Sequence, residues 1–215
     1  HKVLADGDAR QAGPALAEAL SIDPGMTAAH ALKGLAGVTL ARSETIEAAR
    51  VDLSRARLAL EARGGEPSER ALVAALDCAV GGRLRSAAAG LDEHIAEHPH
   101  DLLCIKLAHG LRFMGGDAAG MLAATSAVLS KWSSALPGYG FLLGCHAFGL
   151  EETGSLDEAE SIGRRAVTCE SADAWGRHAV GHVYEMQGRI DDGVAWFENS
   201  RAAWTKCNNF SFHMA

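Results

Sequence analysis

The chain has 215 residues, 48% hydrophobic and 22% charged, with a mean hydropathy of +0.01 and a formal net charge of −7. That is enough apolar material for a substantial core. The acidic balance, with no run of Lys and Arg to track a phosphate backbone, excludes a general polyanion binder, so no nucleic-acid partner is expected.

Helical signals run along the whole chain. Alanine and leucine are abundant, β-branched runs are missing, and apolar residues recur three and four apart, as in Leu53, Ala56, Leu60 and Leu72, Ala75, Leu76. Breakers such as "IDPGM", "RGGEPS", "EHPHD", "LPGYG", "TGSLDE" and "QGR" divide it. The predicted helices are 8–21, 26–41, 44–62, 68–80, 83–97, 101–114, 117–132, 139–152, 156–168, 172–187 and 190–204, with another starting near 209. Asp101 and Asp117 are expected to cap their helices, and Ser155 with Glu158 to form a capping box. Residues 132–150 carry no Asp, Glu, Lys or Arg and approach the length of a membrane span. Pro137, several glycines and His146 interrupt them, so a loop and a buried helix are expected, and no membrane partner.

The breakers repeat. Pro67, Pro99, Pro137 and Ser171 lie 32, 38 and 34 residues apart, with a glycine turn inside each interval or after the last: Gly82, Gly115/Gly116, Gly154 and Gly188. A helix–turn–helix unit with a period near 34 predicts an all-α fold, an α-solenoid of antiparallel helix pairs of tetratricopeptide type, forming one helical-repeat domain over 1–215. Gly188 is expected to reverse the chain with positive φ. The five cysteines (Cys78, Cys104, Cys145, Cys169, Cys207) form no CxxC pair and read as reduced, mostly buried residues of a cytoplasmic protein.

The string "DAWGRHAVGHVYEMQGRIDDGVAWF", followed by Trp204 and by "CNNFSFHMA" with His213, resembles the tetratricopeptide repeat protein 38-like family over residues 172 to 214. Upstream, the likeness is one of repeat periodicity. The resemblance implies the fold far more than an activity, and it implies members longer than this chain. With a first residue His1 and a motif that breaks off near Ala215, the expectation is a fragment of a longer protein.

On one helix, His178, His182 and Glu185 fall within an arc of about 60°, with Trp175 and Arg189 beside it. Imidazoles at i, i+4 can reach one ligand or metal ion, with Glu185 as a third ligand or outer partner, and His213 can approach the same face. The zinc-protease pattern is absent, because Ala179 stands where its glutamate would follow the first histidine. The same slots suit packing histidines whose nitrogens are satisfied internally. His178 and His182 are expected to be buried, at least one of them bonded to Glu185 or near His213. Positions 109, 146, 182 and 213 recur at 37, 36 and 31 residues, so His109 and His146 join the candidate ligand-binding residues. His94 and His98 form a second i, i+4 pair, read as a solvated helix end. Trp196, Phe197 and Trp204 read as packing residues.

Two readings of function stay open. The first is a helical-repeat scaffold that binds a protein or peptide partner on its curved face, with no cofactor. The alternative is an enzyme or small-molecule binder with a histidine-lined pocket, in a weaker version metal-dependent. No catalytic residue is assigned, since no Walker loop, nucleophile elbow or dinucleotide fingerprint is present.

Overall fold

The structure, a computed structural model, describes residues 11–207 and 210–214. Among these every regular element is a helix: α1 Ala12–Ile22, α2 Thr27–Thr39, α3 Ser43–Arg63, α4 Pro67–Val80, α5 Leu84–Glu97, α6 Leu102–Met114, α7 Ala118–Leu129, α8 Tyr139–Glu152, α9 Leu156–Cys169, α10 Ala174–Met186, α11 Ile190–Asn199, α12 Arg201–Trp204 and α13 Phe210–His213. The first positions of the helix predicted over 8–21, and position 209, lie outside the described residues. No described helix is long and apolar enough to cross a membrane. The chain divides into two compact units, Gly13–Asp117 and a second that begins at Ala118.

In the first unit, successive helices from α2 to α6 pack on one another, and α2 also packs on α4. The spacing of small residues explains the close contact: Ala29, Ala31, Ala56, Ala75, Ala87, Ala88 and Ala108 are all nearly inaccessible, interleaved with Leu35, Leu76, Leu91 and Leu111. His30 sits in this core and is satisfied locally. Its Nδ1 lies 3.3 Å from Asp52 Oδ1 and its Nε2 lies 2.9 Å from the Pro24 carbonyl oxygen. Lys33 covers the same buried carboxylate at 3.0 Å.

In the second unit α8 packs on α7, α9 and α10, and α9 also packs on α10. Every residue from Gly140 to Glu151 is buried. The uncharged stretch therefore becomes a loop and then a core helix surrounded on several sides, so it needs no polar face. Glycines permit that enclosure. A Cβ on Gly149 would lie 3.0 Å from the Leu122 backbone of α7, and one on Gly140 would lie 2.8 Å from the Ala166 carbonyl of α9. On the α10 side, Gly144 meets Gly176 and the cap residue Asp173.

One turn recurs through both units. The residue after a positive-φ glycine donates its N–H to the carbonyl five residues back, in Arg83→Cys78, Asp117→Arg112, Ser155→Leu150 and Arg189→Tyr184. Gly188 has φ +69°, as its place in the sequence demands. This turn corrects one expectation. Ser155 leaves it with ψ 60°, like Arg83 at 61° and Arg189 at 59°, and its hydroxyl makes no cap bond. Caps form where a longer loop gives the residue before the helix a wider ψ: Asp101 accepts from Cys104 N at 3.1 Å and Asp173 from Gly176 N at 3.0 Å. Among the described residues, a capping box forms at Glu66 with Glu69. Two boundaries also change. The helix predicted over 117–132 ends at Leu129, and the one predicted over 190–204 breaks at Ser200, whose hydroxyl turns back to the Trp196 and Phe197 carbonyls at 2.8 and 3.3 Å.

Candidate functional site

The site lies in the second unit, where α10 faces the segment that follows α11. Asp173 caps α10, and the buried Arg177 ties that end down by donating to the Asp173 and Ser171 carbonyls, both at 3.2 Å. Trp196 donates its indole N–H to the Arg177 carbonyl at 2.9 Å, which holds α11 against α10. Beyond α11, Trp204, Cys207 and Met214 form a buried cluster against Ala174 and Phe197, and Trp204 Nε1 donates to the Phe197 carbonyl at 2.9 Å. That cluster anchors α13 and carries His213 to the face of α10 that bears His178 and His182.

Three imidazoles meet there. Nε2 of His178 lies 2.8 Å from Nε2 of His213, so one of the two rings donates to the other. The His178 and His182 ring centroids are 4.1 Å apart, and those of His182 and His213 are 5.9 Å apart. One nitrogen from each ring lies within 4.8 Å of the other two. Phe148 of α8 lines the inner side, 5.4 Å from His178 and 6.0 Å from His182, and Trp175 lies 5.4 Å from His178.

The histidines differ electrostatically. His178 is buried, and burial, reinforced by its two neighbouring histidines, pushes its pKa down to about 3. His182 has a partly exposed side chain and a raised pKa. Contact with the Glu151 carboxylate is the main cause and outweighs the opposing effect of burial, and Glu185 and Glu152 add to the rise. His182 Nδ1 stands 3.4 Å from Glu151 Oε2, an ion-pair distance rather than a short hydrogen bond. The result is one imidazole held neutral beside another that takes a proton readily, an arrangement suited to binding a polar ligand or an ion.

The rings open onto a cleft of about 500 Å³. Its polar lining includes Glu185, Glu198 and Arg201, and its apolar wall includes Ile190, Val194 and Phe197. Gly181 makes room for that wall, because a Cβ there would lie 2.4 Å from the Phe197 ring.

His178, His182, His213 and Trp175 come together. Glu185 is exposed and lines the cleft, and it does not belong to any of the ligand-type clusters found among the described residues. The carboxylate at His182 Nδ1 belongs to Glu151 of α8, and Glu185 stands on the cleft wall, from where its charge also reaches His182. His146 is buried elsewhere in the second unit, with Nδ1 3.0 Å from Thr125 Oγ1. His109 is buried in the first unit, where burial and the nearby Lys106 and Arg112 charges hold it neutral with a pKa of about 3. Neither lines the cleft.

His94, read as a solvated helix end, has a side chain only 7% exposed, and its Nε2 lies 2.9 Å from Asp101 Oδ2. His94, Asp101 and Cys104 form a second ligand-type cluster, but Asp101 is already engaged as the α6 cap. Of the cysteines, Cys104, Cys145 and Cys207 are buried, Cys78 is intermediate and Cys169 is exposed. Sequence reasoning missed Phe148 and Glu151. Glu151 had a signal: it precedes Glu185 by 34 residues, the same register one interval earlier. No family model matches the chain, and no solved structure matches it.

Proposed function

We propose that this is a helical-repeat protein of tetratricopeptide type whose second unit binds a small polar molecule in the histidine-lined cleft. The observation that carries the reading is the convergence of His178, His182 and His213, from α10 and α13, at the base of a cleft with a mixed polar and apolar wall. Polar side chains occupy slots that helix pairs of this kind normally fill with apolar ones, and a buried carboxylate backs one of them. The repeated glycine turn, the helix spacing and the likeness of residues 172–214 to the tetratricopeptide repeat protein 38-like family support the repeat assignment.

Val194 is 58% exposed on the cleft wall, so enlarging it narrows the cleft without disturbing a core. In a ligand-observed NMR screen of small polar fragments, compounds that bind the chain should be lost in Val194→Trp and in His182→Gln with little change in melting midpoint. Binders indifferent to both substitutions would sink the cleft reading. A second reading, a protein or peptide partner, is favoured by the exposed apolar row Met186, Ile190 and Val194 at 68%, 60% and 58%. It predicts a partner whose binding is lost in Val194→Glu and unchanged in His182→Gln.

A further inference from the structure

The same three imidazoles carry a more specific reading. We infer that His178, His182 and His213 bind one divalent transition-metal ion of the zinc class, leaving a coordination position open to the cleft. This rests on the proposal that the cleft is a ligand site.

A four-coordinate ion with metal–nitrogen bonds of about 2.0–2.1 Å sets its ligand nitrogens about 3.3 Å apart. Here the three nitrogens lie within 4.8 Å of one another, and the His178–His213 pair is at 2.8 Å. Small side-chain rotations therefore bring all three onto one ion. His178 and His182 come from one helix face, one turn apart, and His213 comes from a segment anchored separately by Trp204, Cys207 and Met214. An ion would tie those two elements together.

The outer partner is also in place. Histidines that bind metals usually give their other nitrogen to a carboxylate, which fixes the ring and its tautomer. Glu151 is 8% exposed and stands at Nδ1 of His182. With Nδ1 engaged, Nε2 is the nitrogen of His182 left for coordination. The donors are all imidazole, which selects zinc, copper, nickel or cobalt over magnesium or calcium. Cys207 packs in the Trp204 cluster and does not join the set. Phe148 and Trp175 line the inner side with aromatic surface, so the open side is the cleft.

A rival set, Glu151, Glu152 and His182, shares the His182 ring. The His178–His213 hydrogen bond alone is the metal-free alternative. One titration separates the three. The full chain, stripped with a chelator and dialysed, is titrated with Co(II) and then Zn(II), following the visible bands of four-coordinate cobalt, heat and melting midpoint. The expected result is one equivalent of cobalt with tetrahedral absorption, displaced by zinc, and a melting midpoint raised by the ion. His182→Gln and His213→Gln should abolish the absorption, and Glu151→Gln should weaken binding roughly tenfold. His213 is exposed, so His213→Gln should fold, checked by circular dichroism. Absence of stoichiometric binding overturns the inference. Binding that survives His213→Gln and is lost in Glu152→Gln overturns it in favour of the rival set. If metal binding fails while fragments still bind in a cleft-dependent way, the metal falls and the cleft reading stands. If both fail, both fall.

Discussion

Gly144 and Asp173 occupy the same space in the sense that matters for a side chain. A Cβ built on Gly144 of α8 would lie 1.9 Å from Asp173 Oδ2, and 2.9 Å from the Gly176 N–H that this carboxylate caps. The start of α10, and with it the histidine face, is therefore placed by the absence of a methyl group on α8. Gly144→Ala should push Asp173 off its cap and cost about 1–3 kcal/mol through overpacking and loss of the cap. Gly90, inside α5 with nothing within 4 Å of its missing Cβ, provides the opposite case. Gly90→Ala should stabilise by about 0.5–1 kcal/mol through helix propensity alone. Chemical denaturation of the two variants should give shifts of opposite sign. A shift of the same sign in both would refute the close-approach account.

At Gly188 the constraint is conformational rather than steric. Nothing lies within 4 Å of its missing Cβ, but φ is +69°. Gly188→Val places a β-branched residue in the left-handed region and should cost at least about 1 kcal/mol. Gly188→Asn, which tolerates that region, should cost less. Equal melting midpoints for valine and asparagine would show that the turn relaxes to another conformation.

The parts of this fold that were legible are those where one residue type answers one local demand. Gly188 is an example, since only a positive φ closes the turn between Gln187 and Arg189. The face shared by His178 and His182 follows from helix geometry alone. What escaped depends on partners distant in sequence. Helical spacing groups Glu185 with the histidines, yet which carboxylate meets His182 is decided by the packing of α8 on α10, and that supplies Glu151. Phe148 lies on a helix buried all round, where no periodicity marks the side that faces the rings. Ser155 has the right composition for a cap, but the preceding glycine turn fixes its ψ at 60°. At Ser200 neither Gly nor Pro announces the helix break. The serine hydroxyl competes for the Trp196 and Phe197 carbonyls, an outcome that serines elsewhere in helices do not force.

Arg112 and Asp92 make an asymmetric pair. The arginine side chain is 9% exposed and the aspartate 37%. Arg112 donates from both terminal nitrogens to the Asp92 carboxylate, through Nη1 to Oδ1 at 3.1 Å and through Nη2 to Oδ2, while Asp117 stands farther off at 3.7 Å. Asp92→Ala leaves a buried guanidinium with its weaker partner and should cost about 3 kcal/mol. Arg112→Met keeps the packing of the stem and leaves a carboxylate that water reaches, at a cost of about 1 kcal/mol. Unfolding free energies for the two variants should keep that order. A larger loss from removing the arginine would mean that Asp92 is the member dependent on its partner.

His109 should make the protein acid-sensitive, and the sign follows from where its proton goes. In the fold, burial among the α6 neighbours, with Lys106 and Arg112 nearby, depresses its pKa from 6.5 to about 3. In the unfolded chain the imidazole is solvated and titrates near 6.5. Above that pH both states are neutral and the residue contributes no pH dependence. As the pH falls below 6.5 the unfolded state takes up a proton that the folded state refuses, so stability is lost progressively until the folded pKa near 3. The slope between those limits approaches about 1.4 kcal/mol per pH unit. His109→Leu removes the titrating group while keeping an apolar side chain in the same place. The difference in unfolding free energy between wild type and variant should be constant above about pH 7.5 and should move in favour of the variant by about 1 kcal/mol per unit below about pH 6. A difference that stays flat across that range would show that the His109 ring takes up its proton inside the fold.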